Sequence, residues 1–204
     1  MDWLWFKSRP NLLPWTTRPF SPGVELGPRP SDHRDNHERV VAVEEPGPPL
    51  ADGPFRRLAQ AILAFDIFPP PVATGVLLRS PIEVGDCAGV CYRFIPGCRL
   101  FFAARVYERF DEQRGEIWRA GFSYRTLTGH PMCGEETFCV EKNLATGQIL
   151  VALRSWSRPV HWSTRWGNPI ARRRQLQAGR SALDHLQSIA ESQQLLANAR
   201  ERVC

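Results

Sequence analysis

The sequence predicts an α+β fold, a curved antiparallel sheet of about seven strands with one long C-terminal helix lying across it. Three observations carry this. Apolar and polar residues alternate at a period of two from residue 72 to residue 157, with turn-forming residues at short intervals. A short helix-period segment precedes that run, and a long one follows it. Strands joined by short turns pair antiparallel, which leaves an apolar face to be covered, and the closing helix is long enough to cover it.

The elements follow in order. Residues 1–38 mix Pro, Arg and Trp without a period and read as an irregular extension. More than half of the 18 prolines lie between Pro10 and Pro54, which argues against long helices there. Arg39–Glu44 reads as a short strand and Pro46–Pro54 as a connector. Phe55–Phe65 reads as a helix with Phe55, Leu58, Ala59, Ile62 and Leu63 on one face, stopped by Pro69, Pro70 and Pro71. Six strands follow: Val72–Arg79, Asp86–Ile95, Arg99–Phe110, Glu116–Tyr124, Glu135–Lys142 and Gln148–Ser157. In the third of these, Leu100, Phe102, Ala104 and Val106 make an apolar face, while Arg99, Arg105, Tyr107 and Arg109 fall on the other. Pro169 suits the first turn of a helix over 169–198, whose inner face takes Ile170, Leu176, Leu183, Leu186, Ile189 and Leu196. The chain thus divides into an extension (1–38), a single domain (39–198) and a tail (199–204).

Composition narrows the function classes. A chain of 204 residues with 43 % hydrophobic residues can bury a core as one domain. The net charge of +5 is small for an extended nucleic-acid footprint. Only Lys7 and Lys142 are lysines, an arginine bias that fits a GC-rich bacterial genome. No apolar run reaches membrane-spanning length, and the N-terminus lacks the pattern of a signal peptide, so a cytoplasmic protein is expected. Trp3, Leu4, Trp5 and Phe6 are expected to pack back on the domain rather than touch a membrane or a partner. Cys87, Cys91, Cys98, Cys133, Cys139 and Cys204 form no CxxC pair and read as free thiols. His33, His37 and His161 lack metal spacing, and neither a metal nor another cofactor is expected. Arg172, Arg173 and Arg174 read as a solvated helix face, with a phosphate site as the alternative. Trp156, Trp162 and Trp166 are expected to anchor the closing helix.

The densest collection of functional side chains is Gly121–Phe138, GFSYRTLTGHPMCGEETF, a strand that breaks into a turn and re-enters a strand. His130 titrates near neutrality in its unperturbed state and is the candidate acid or base. Glu135 and Glu136 are adjacent on a strand and point to opposite faces. Glu136 shares its side with Phe138 and Val140, so it is expected inside, orienting His130. Tyr124, at a strand end, can bind an oxygen anion. Arg105, Arg119 and Arg154 can partner a buried glutamate, and with Tyr107, Arg125 and Glu135 they make up the candidate ligand-binding set. The alternative is structural: Gly129 shapes the turn, His130 caps it, and the glutamates bond nearby amides.

Tyr124 to Phe138 resembles the YGTLPGHPxxGEExF signature of the family called domain of unknown function 1990, also uncharacterised protein family 0548. Ser157-Arg158-Pro159 and the Pro169 and Arg172–Gln175 run match its later positions, and the similarity covers residues 39–187. Arg125 stands where the family has Gly, and Asp66 where a Trp-basic pair often ends the first helix. The resemblance implies no activity. The order of elements is that of the helix-grip arrangement of the START and Bet v 1-like superfamily, which encloses a cavity between sheet and long helix. The expected function is binding of a small apolar or amphipathic ligand there. One alternative is a cavity enzyme of the cyclase, hydrolase or isomerase kind using His130 and Glu136. Another is a protein-interaction module using the Arg-rich helix and Trp-rich N-terminus. The oligomeric state is left open.

Overall fold

Period-two alternation becomes a single antiparallel sheet in the computed structural model, which describes residues 1–160 and 168–201. Its strands are β1 (Asp2–Trp5), β2 (His33–Val43), β3 (Ala73–Val76), β4 (Cys87–Ile95), β5 (Cys98–Arg114), β6 (Ile117–Thr126), β7 (Met132–Asn143) and β8 (Gln148–Pro159). Helix α1 (Pro54–Leu63) lies between β2 and β3, and helix α2 (Asn168–Glu201) follows β8. The sheet order is β2-β8-β7-β6-β5-β4-β3, and β1 adds to β5 off this path. Seven curled strands thus grip a C-terminal helix, which is the helix-grip architecture. No described helix is long and apolar enough to cross a membrane.

The core lies between the inner face of the sheet and the two helices. Phe55, Leu58 and Ile62 of α1 and Ala182, Leu183 and Leu186 of α2 pack onto Phe122, Phe138, Val140 and Val151. Leu176 and Ile189 of α2 are half-buried, whereas the side chains of Ile170 and Leu196 lie outside the described residues, as do Trp162 and Trp166. Phe65 ends α1 with a left-handed backbone, φ 59°, where glycine is usual. Its ring is buried against Phe122, Tyr124 and Phe138, and that burial offsets the backbone cost.

Three differences from the sequence reading matter for the site. First, β2 begins at His33 rather than Arg39. Its early residues are all polar, so no apolar alternation marks them. Second, the register of β5 shifts between Val106 and Glu108, a bulge that changes which residues face inward. Leu100, Phe102, Ala104 and Val106 do face in, but beyond the bulge Arg109 pairs with Phe122 and turns inward too, to Glu83. Third, residues 1–38 are not without regular structure. Besides β1 they hold a 3-10 turn at Leu13–Trp15, and Leu4, Leu12 and Trp15 bury the outer face of β5 at Phe101 and Ala103. Of the four N-terminal apolar residues only Leu4 is buried; Trp3, Trp5 and Phe6 stay 49 %, 63 % and 85 % exposed.

Cys87, Cys91, Cys98, Cys133 and Cys139 are buried free thiols, and burial pushes the Cys139 thiol up to about 12; Cys204 and His161 lie outside the described residues. Trp156, expected under the closing helix, packs instead with Val24 and Cys133.

Candidate functional site

The Gly-His-Pro segment forms the tight connection between β6 and β7. Gly129 adopts φ +95°, a left-handed conformation that favours glycine. His130 Nδ1 lies 3.0 Å from the Met132 amide nitrogen, which donates to it, and 2.8 Å from the Met132 carbonyl oxygen. The ring therefore caps its own turn. It also stands edge-on to Phe102, with centroids 4.6 Å apart. Burial pulls its pKa down to about 3, so the imidazole is neutral near pH 7 rather than titrating there.

Gly134 opens the GEE stretch for a packing reason. A Cβ there would fall on the Trp156 carbonyl oxygen and 2.9 Å from Ser157 Cα. The Gly134 amide donates to Thr126 Oγ1 at 3.0 Å, which fixes the start of β7 to the end of β6. Alternation then turns Glu136 inward with Phe138 and Val140, as expected. Tyr124 sits opposite Glu136 in the register and donates its hydroxyl hydrogen to the carboxylate at 2.7 Å. Burial raises the Glu136 pKa to about 7, the nearby Asp35 adds to the rise, and the Tyr124 hydrogen bond opposes it. Burial and the Glu136 charge hold the Tyr124 phenol well above its ordinary range.

His130 and Glu136 line the same cavity but share no hydrogen bond, so Glu136 does not orient the imidazole. The expected ligand-binding set separates further. Glu135 turns its carboxylate outward to Arg125 Nε at 2.9 Å, and Arg125 lies over the Tyr107 ring. Burial and the Glu135 charge raise the Tyr107 pKa. Arg105 donates to the Thr16 and Arg18 carbonyls at 2.8 and 2.9 Å and so clamps the N-terminal segment. Arg119 pairs with Glu112, and Arg154 bridges Glu38 and Glu141, whose hydrogen bonds raise the Arg154 pKa. Arg105, Tyr107, Arg119, Arg125 and Arg154 are thus outer-face residues, and none lines the cavity.

The residues missed come from β2 and α2. Asp35, His37 and Arg39 alternate on the inner face of β2 and meet the helix. Arg39 donates to Asp184 at 2.7 Å and Gln187 at 2.9 Å; His37 lies against Gly179; Arg172 forms a bidentate pair with Asp35. The Asp35 side chain is 8 % exposed. Arg172 is therefore a partnered cavity residue rather than part of a solvated run, while Arg173 is exposed and the Arg174 side chain lies outside the described residues.

These parts enclose a partly open cavity of about 470 Å³ between the sheet and the first half of α2. Phe68, Val90, Leu100, Phe102 and Leu153 give it apolar walls, Tyr124, Glu136 and Ser155 a polar patch, and Arg172, Gln175 and Ala178 the helix side.

An apolar hollow between a curved sheet and a long helix, with one phenol–carboxylate pair in its wall, places the candidate site within a helix-grip fold. The chain belongs to the family described as a domain of unknown function (DUF1990), whose profile matches residues 22–185. It is 29 % identical over 100 residues to a UPF0548 protein of Dictyostelium discoideum, 46 % of each chain. It is 27 % identical over 97 residues to a UPF0548 protein of Arabidopsis thaliana, 47 % of each. The matches thus span about half the length of these curated relatives. A hypothetical protein from Helicobacter pylori, jhp0584, has a similar structure, with TM-score 0.50 and 11 % identity over 86 % of this chain and 96 % of that one. That likeness concerns the fold alone.

Proposed function

We propose that this protein binds a small, largely apolar molecule between its sheet and α2. The observation that carries the reading is the cavity of about 470 Å³ itself. Protein interiors are close-packed, and unfilled apolar space is destabilising. A hollow of this size is of the order that small-molecule sites use, with mostly apolar walls and few polar groups.

The test is fluorescence of the neutral apolar probe N-phenyl-1-naphthylamine. Enhancement with the native protein, and its loss in Ala178→Trp, which fills the hollow from the helix side, is the expected result. Circular dichroism establishes that the variant is folded. No enhancement with the native protein, or equal enhancement in the folded variant, overturns the reading.

A second reading, an enzyme in the same cavity, rests on one observation. Glu136, with its pKa near 7, is poised to exchange a proton beside Tyr124. Turnover of a captured ligand that Glu136→Gln abolishes, with binding kept, is the result that distinguishes it from a carrier.

A further inference from the structure

Among the described residues, the cavity wall leaves one carboxylate without an ion-pair partner. Arg172 has both guanidinium arms on Asp35, so this cation and this anion neutralise each other. The Met1 amino group donates to the Gly129 carbonyl. Glu135 is answered by Arg125. His130 is tied to Met132 through Nδ1 and is uncharged, since burial holds its pKa near 3. Glu136 is the exception. Among the described residues its carboxylate accepts one hydrogen bond, from Tyr124, and no cation lies within ion-pair distance. A carboxylate in such a place is disfavoured until something brings it a charge or donors. The aromatic rings of Phe68, Tyr92, Phe102 and Tyr124 line the same space, and ring faces attract cations.

From this pattern we infer that the natural ligand is an organic amine, an apolar body whose single ammonium group pairs with Glu136. Among the described residues, an acid would find the Arg172 guanidinium already held by Asp35 and the Met1 amino group already donating to the Gly129 carbonyl. A neutral alcohol would gain one hydrogen bond but leave the carboxylate without a counter-charge. The inference rests on the cavity reading above and adds the head group to it.

The test displaces bound N-phenyl-1-naphthylamine with three compounds that share one body: 4-phenylbutylamine, 4-phenylbutanol and 4-phenylbutanoate. The measurement is made at about pH 8, where a free alkylamine is cationic and Glu136 is ionised. The amine is expected to displace the probe at least about tenfold more effectively than the alcohol, as a charge-assisted hydrogen bond allows, with the acid weakest. Glu136→Gln keeps an acceptor for Tyr124 and is expected to bring the amine down to the alcohol. Asp35→Asn releases Arg172 and is expected to improve the acid several-fold. A probe that binds normally, with the amine no better than the alcohol or with its preference intact in Glu136→Gln, overturns the amine while leaving the cavity reading standing. Failure of the probe to bind removes both.

Discussion

Tyr124 and Glu136 face each other across β6 and β7, and the phenol holds the carboxylate at 2.7 Å. Burial raises both pKa values, but the pair acts on them in opposite senses: the Glu136 charge raises the Tyr124 pKa further, whereas the Tyr124 hydrogen bond lowers that of Glu136. Tyr124→Phe removes the donor that favours the ionised carboxylate. The Glu136 pKa is then expected to climb above 7 by about one pH unit, equivalent to about 1.4 kcal/mol. Carbon-13 titration of the glutamate carboxyl groups measures this directly; a value that stays put or falls would show that the hydrogen bond does not set the charge state.

His130 and Glu136 should make stability depend on pH with opposite slopes. The folded His130 pKa is depressed to about 3 from 6.5, so the neutral imidazole contributes stability that is present above 6.5 and lost as pH falls towards 3. The folded Glu136 pKa is raised to about 7 from 4.5, so its contribution is complete below 4.5 and lost as pH rises through 7. Relative to the native protein, His130→Gln is expected to improve as pH is lowered. Glu136→Gln is expected to improve on going from pH 5 to pH 8, by on the order of 2 kcal/mol after allowance for solvent access through the cavity. Urea unfolding across this range checks both slopes, and parallel curves for native and variant proteins would count against the assignments.

The sheet was legible because its hairpins are short and its strands amphipathic, and the inward turn of Glu136 followed from its parity with Phe138 and Val140. Parity failed where the backbone slips. Arg109 counts as outer by position, but the bulge after Val106 turns it inward beside Phe122. The candidate ligand set failed for another reason. Arg105, Arg119 and Arg154 have the residue type that partners a buried glutamate, yet their register places them on the outer face, where local carboxylates and carbonyls already hold them. Asp35 was hidden in an all-polar stretch, and its partner Arg172 lies far along the chain. Pairing between an edge strand and a distant helix leaves no local period to read.

Gly134 and Gly27 offer a controlled comparison. A methyl group at Gly134 meets backbone, the Trp156 carbonyl and Ser157 Cα, which cannot swing aside as a side chain can. At Gly27, φ +73°, nothing lies within 4 Å and only left-handed strain opposes alanine. Gly27→Ala is expected to lose about 1 kcal/mol. Gly134→Ala must part β7 from β8 and is expected to lose about 3 kcal/mol or more, with the cavity probe released as well. Similar thermal shifts for the two variants would remove the packing explanation for the glycine of the GEE stretch.

Lys142, one of the two lysines of the chain, is buried with Glu44 at the end of the core away from the cavity; their side chains are 0 % and 1 % exposed. Lys142 Nζ donates to Glu44 at 2.7 Å and to the Pro48 carbonyl at 3.2 Å. Glu44 also accepts from the Phe55 amide at 2.9 Å, in the first turn of α1, and from the Leu50 amide at 3.3 Å. One ion pair therefore ties β7, the loop after β2 and the start of α1 together, and the carboxylate suits the positive end of the helix. Removing either partner strands a charge in the core. Lys142→Met and Glu44→Gln are each expected to lose about 3–5 kcal/mol. The double variant should lose less than the sum of the two, because neither charge is then left alone. Urea unfolding of the four proteins gives the coupling, and hydrogen exchange at the Phe55 amide should rise first in Glu44→Gln. Additive losses, or a loss under about 1 kcal/mol in Lys142→Met, would mean that α1 is held by its apolar face alone.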